Sequence, residues 1–276
     1  MRGGLRVAAM AAAVLVALIS VLPAARAEEG VVRLHAAGSL KLALTELGQA
    51  FTAAHGTRVE ARFGSSGLLR ERLDKGELGD VYASADMGNP LTLAKAGKAG
   101  PVVLFARNRL CAVVRPGLRV MPQTVLETML APNVKLGTST PGNDPAGDYA
   151  WQLFAKADAL RPGAGTILEA KTLKLTGLSG AASPPNGRNV YAWHVMEGQV
   201  DLYLAYCTAG REAVAEAAGI TVVELPPELA VGAEYGLTVL QAANMRAALP
   251  FVLYILSADG LAILARHGFD APLAPK

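Results

Sequence analysis

Cysteine is scarce in this chain of 276 residues: Cys111 and Cys207 are the only two, and neither lies near the N-terminus. That placement argues against a lipid-anchoring cysteine. The four histidines, His35, His55, His194 and His267, are equally scattered, with no H-E-x-x-H run and no Cys/His pair at ligand spacing. A protein metal site is therefore not expected. Long apolar runs are missing too. The N-terminal stretch over residues 7–19 falls short of the roughly 20 residues that a membrane-spanning helix needs, and no later segment reaches that length without a charge or a breaker. The serine-hydrolase elbow G-x-S-x-G is likewise absent, because Gly64-Ser65-Ser66-Gly67 runs into Leu68 where the last glycine should stand.

What the N-terminus does contain is Arg2 and Arg6 without an acid, then the apolar stretch, then Ala25-Arg26-Ala27. That order reads as a cleavable secretory signal over residues 1–27, with a mature chain starting near Glu28 in the periplasm; an uncleaved anchor is the alternative. Removing Arg2, Arg6 and Arg26 from the 26 basic residues leaves 23 against 23 acids. The mature chain carries no net charge, so the electrostatic argument for a nucleic-acid partner disappears.

Strand and helix signals alternate along the rest. Residues 31–35 form a short β-branched run, followed by small residues and then Leu40, Leu44, Leu47 and Phe51 at helical spacing, with Ser39 as the expected cap. Residues 58–63 repeat the strand, Gly64-Ser65-Ser66-Gly67 turns, and Leu69 and Leu73 mark a second helix. A third unit runs from a strand at 81–84 into a helix at 90–96. Further strands are expected at 110–114, 134–137, 202–206, 220–225 and 235–240. Helices are expected at 146–157, 191–196 and 212–218, and in a C-terminal region broken at Pro250 and restarted at Ser257. Alternation of this kind predicts an α/β fold with mainly parallel sheets flanked by helices. The reading divides it into two lobes around a ligand cleft, residues 28–105 with 232–276 as lobe 1 and residues 106–231 as lobe 2.

The chemistry sits in two serine-bearing turns, one at Gly38-Ser39 and one at Gly64-Ser65-Ser66-Gly67. Each lies between the carboxyl end of a strand and the start of a helix, where unpaired N–H groups and the positive dipole end favour an anion. Either serine alone reads equally well as a helix cap. The runs LHAAGSLKLALTELGQAF, VEARFGSSGLLRERLDKGELGDVYASAD, DPAGDYA, VDLYLAY and SADGLAILARHGFDAP resemble, in the same order, the periplasmic molybdate-binding proteins of ABC importers.

The resemblance implies a non-enzymatic binding protein without a cofactor, monomeric, that captures molybdate or tungstate and hands it to an inner-membrane ABC permease. It implies an oxyanion held by neutral donors: the hydroxyls of Ser39, Ser66 and Tyr206, the backbone N–H of Ala146, and a further backbone donor near Arg188, Asn189 or Val190. A site made of donors alone would leave the proton of hydrogen phosphate without an acceptor. The segment LSGAASPPNGRNVYAW departs from the family pattern, which keeps open a site where Arg188 grips a sulfate-like or carboxylate-bearing anion. A periplasmic hydrolase and a structural module are weaker alternatives. Cys111 and Cys207, in a compartment that permits disulfides, are either a bridge or two buried thiols.

Overall fold

The computed structural model describes residues 30–272; the expected signal peptide at residues 1–27 lies outside them. Three βα units open the fold: β1 (Val31–Ala37) with α1 (Lys41–His55), β2 (Arg58–Gly64) with α2 (Ser66–Asp74), and β3 (Val81–Ser84) with α3 (Gly88–Lys95). The apolar stripe of α1 is buried through Ala43, Leu44, Leu47 and Phe51. Gly48 lets α1 approach β2, because a side chain there would press on Val59 at 3.2 Å.

The chain then enters β4 (Val103–Val114), followed by α4 (Val125–Leu130), β5 (Leu136–Ser139), α5 (Pro145–Leu160), α6 (Ala164–Lys171) and β6 (Leu173–Thr176). After these come α7 (Val190–Met196), β7 (Leu202–Tyr206), α8 (Cys207–Glu216) and β8 (Thr221–Glu224). The chain returns through β9 (Gly232–Val239) and ends in α9 (Met245–Leu256) and α10 (Ala258–Arg266).

The described strands form a mixed sheet in the order β2-β1-β3-β9-β4-β7-β5-β6, with β8 beside β4. Pairing is parallel at both flanks, in β2-β1-β3 and in β7-β5-β6, as the strand-helix alternation predicts. It is antiparallel in the middle, where β9 and β4 pair with each other and with their outer neighbours. β4 spans the change: residues 103–109 pair with β9, and residues 110–114 pair with β7 and β8.

Three expectations need correction. The strand expected at 110–114 is twelve residues long, because Arg107 and Arg109 are accommodated by cross-strand partners Glu234 and Glu224 at 2.9 and 2.8 Å. The C-terminal helix does not break at Pro250. The α9 helix runs through it, since the missing N–H costs one bond on an exposed face, while Ala247, Ala248, Phe251 and Ile255 are buried on the other. The break comes at Ser257, whose hydroxyl caps α10 through the Gly260 N–H. Ser39 is not a helix cap: Gly38–Leu40 form a turn of 3-10 helix ahead of α1, and no side chain caps either.

Cys111 and Cys207 form a disulfide, their Cα atoms 4.9 Å apart. It ties β4 to the start of α8. No helix among the described residues is by itself long and apolar enough to cross a membrane.

Candidate ligand-binding site

Three parallel strands build the first wall. In-register pairing of β1 with β2 sets Ala37 opposite Gly64, and pairing of β1 with β3 sets Ala36 opposite Ala83. The three strands therefore stop at one level, and the turns that follow, through Ser39, Ser65-Ser66 and Ala85, open onto one cavity. The opposite wall is Asp144 before α5, the segment after β6 at Thr176, Gly177 and Leu178, residues 181–184, the start of α7 at Val190 and Tyr191, and Tyr206 at the end of β7. The cavity measures about 330 Å³, at the small end of the roughly 300–1,000 Å³ range of small-molecule sites.

The hydroxyls are oriented by what lies behind them. Asn108 donates through Nδ2 to the Tyr235 hydroxyl at 3.3 Å, while its Oδ1 accepts from the Arg109 N–H, which fixes the amide. Tyr235 Oη and Ser39 Oγ lie 2.9 Å apart and either can donate; with Tyr235 giving its proton to Ser39, the Ser39 proton is left for the cavity. Ser66 Oγ accepts from the Ala85 N–H at 3.1 Å, so its proton is likewise left to donate. Ser66 is 1% exposed and does not cap α2, which begins after Ser65. The serines that the sequence allowed as helix caps are thus both used otherwise.

Tyr206 reaches only the Ala85 carbonyl, at 3.5 Å, a long bond that a stronger acceptor can replace. Burial raises its hydroxyl well above the ordinary tyrosine range, which keeps it a neutral donor.

The remaining expected residues stand elsewhere. The N–H of Ala146 donates to Asp144 Oδ1 at 3.1 Å, and Ala146 is behind the lining rather than in it. Arg188 turns away, with Nε donating to Glu216 Oε1 at 3.1 Å. Asn189 caps α7 through Oδ1, which accepts from the Tyr191 and Ala192 N–H groups at 3.0 Å. Both belong to an adjoining, larger hollow of about 700 Å³ that also holds Lys41, Arg211 and Glu212. Of the three residues at the atypical loop, Val190 lines the cavity.

Asp144 was missed as a site residue. Its position before Pro145 reads as a helix cap, which it is, but Asp144 also lines the cavity, and its carboxyl accepts from Ser65 Oγ at 3.0 Å. Desolvation raises its pKa above the ordinary carboxylate value. Among the described residues the lining contains an acid and no Lys, Arg or His, so it is not made of donors alone.

The two walls touch beside the cavity. The Gly67 N–H donates to the Asn143 carbonyl at 2.9 Å, and a Cβ on Gly67 would stand 2.6 Å from that oxygen. Only glycine permits this approach.

Residues 32–270 match the family of bacterial extracellular solute-binding proteins. The chain is 32% identical to the uncharacterized protein PM1146 of Pasteurella multocida, across 78% of this chain and 89% of that one. It is 29% identical to the molybdate-binding protein ModA of Mycobacterium tuberculosis H37Rv, across 86% and 83% of the two chains. In fold it is similar to the sulfate-binding protein SubI from the same organism, with a TM-score of 0.74, 19% identity, and coverage of 89% and 88%. A match over nearly the whole described chain places the protein in a family: it is a member of the bacterial extracellular solute-binding proteins.

Proposed function

We propose that the chain captures a tetrahedral oxyanion, molybdate or tungstate, in this cavity and delivers it from the periplasm to an inner-membrane ABC permease, acting as a monomer without catalysis. The observation that carries the reading is the convergence of Ser39, Ser66 and Tyr206 on one small cavity without a cation among its described residues: Ser66 accepts from the Ala85 N–H, Ser39 can accept from Tyr235, and the long bond from Tyr206 to the Ala85 carbonyl is one an anion can displace. Donors of this kind hold a dianion by hydrogen bonds rather than by opposite charge. Similarity to a protein named for molybdate binding supports the choice of ligand. Arg188, engaged by Glu216, lends no support to a site built on a guanidinium.

Mechanistically, residues 28–105 with 232–276 act as one lobe and residues 106–231 as the other, and the anion bridges them. Ligand contacts made from both walls favour the closed arrangement over an open one, so binding is coupled to closure about the β4 and β9 crossings. Isothermal titration with molybdate, tungstate, sulfate and phosphate tests the assignment. One-to-one binding of molybdate or tungstate is expected, and heat from sulfate or phosphate alone would reject it.

A further inference from the structure

A fully deprotonated dianion and a carboxylate do not share a small cavity without help. Asp144 lines the cavity, and its two oxygens accept from Ser65 Oγ and the Ala146 N–H at 3.0 and 3.1 Å. Among the described residues, no Lys, Arg or His stands in the lining to offset it. The ionisable groups within electrostatic reach sharpen the problem: Asp148 on α5 is a second acid, and Tyr191 on α7, Tyr203 and Tyr206 on β7 and Tyr235 on β9 are all held neutral by burial. Arg188 of the atypical loop is directed at Glu216 and Glu197. Like charges at close range in a poorly solvated site repel strongly.

We propose that Asp144 is the proton-carrying, specificity-determining residue of this site, taking up one proton as the oxyanion binds, so that a deprotonated tetrahedral anion enters together with one proton. This rests on the oxyanion reading above and deepens it. The proton comes from solvent and resides on the carboxyl, whose O–H then donates to an anion oxygen. Ser65 and the Ala146 N–H still serve the carboxyl oxygens they already contact. Desolvation, which already disfavours the charged form of Asp144, works in the same direction. An anion that arrives carrying a proton, such as hydrogen phosphate, meets an acceptor here rather than a rejecting wall.

The sign follows from linkage. The complex holds one proton more than the free protein wherever Asp144 is ionised in the free state, so affinity rises as pH falls and weakens by up to about tenfold per pH unit above the free-state pKa. Isothermal titration of the mature protein with molybdate from about pH 7 to about pH 9, in buffers of different ionisation enthalpy, reads both the slope and the number of protons taken up, here expected to approach one.

Asp144→Asn keeps a good helix cap and puts an N–H donor where the protonated carboxyl stood. It is expected to bind with a flat pH profile and more tightly than the wild type at the alkaline end. Asp148→Asn is expected to keep the slope. Tight wild-type binding with no pH dependence and no proton uptake would overturn the proposal and leave the oxyanion reading standing, as would an unchanged slope in Asp144→Asn. If neither protein binds molybdate, tungstate, sulfate or phosphate at any pH while thermal melts show both folded, the oxyanion reading falls and takes the proposal with it.

Discussion

Replacing Ser66 by alanine separates binding from folding. The hydroxyl does two things: it accepts from the buried Ala85 N–H at 3.1 Å, and its proton is available to the cavity. Loss of a hydrogen bond to a charged ligand costs about 1.5–3 kcal/mol, which is roughly 12- to 140-fold in Kd. Loss of the acceptor strands a buried backbone N–H, at about 1–3 kcal/mol of stability. For a domain of this size that lowers Tm by roughly 2–12 °C. Titration calorimetry with molybdate well below the Tm, together with a thermal melt, reads the two effects on one protein. A lowered Tm with unchanged Kd would show that Ser66 serves the fold alone and would refute the site.

Other expectations follow from the same contacts. Arg188→Ala should leave molybdate affinity within about 0.5 kcal/mol, the range of ordinary surface changes, and the affinity of both proteins should vary little between low and high salt; a large loss would put the guanidinium at the ligand. Gly67→Ala brings a methyl against the Asn143 carbonyl, so the walls cannot meet as they do here. Overpacking of about 1–3 kcal/mol should appear as weaker molybdate binding, and affinity equal to wild type would show that the contact is dispensable. Replacing Cys111 and Cys207 together by alanine opens a loop of 96 residues, which in the chain-entropy model is worth about 4.7 kcal/mol. The melt should fall by roughly 9–19 °C, and an unchanged Tm would contradict that contribution.

Much of this architecture was legible because its signals are local. The first two turns could be placed from β-branched runs followed by small residues, and parallel pairing in register then sets them side by side. The long β4 was harder to read, since Arg107 and Arg109 look like loop residues until Glu234 and Glu224 are brought beside them from distant sequence. Pro250 read as a break because sequence does not reveal which face of α9 is exposed. The same limit hid Asp144: the local signal, Asp before Pro at a helix start, is that of a cap, and its second role exists only because α2 and α5 bring Ser65 to it across 79 residues. The chain from Asn108 through Tyr235 to Ser39 spans 196 residues at its last link and leaves no local trace at all.

The central claim, that the cavity is a hydrogen-bonding site for a molybdate-class oxyanion, is tested most directly by titrating the mature wild-type protein with molybdate near neutral pH. One anion per chain is expected, with a Kd in the micromolar range or tighter, corresponding to about −8 kcal/mol or better. A folded protein that gives no heat with molybdate or tungstate, or binds sulfate or phosphate more tightly than either, would contradict it.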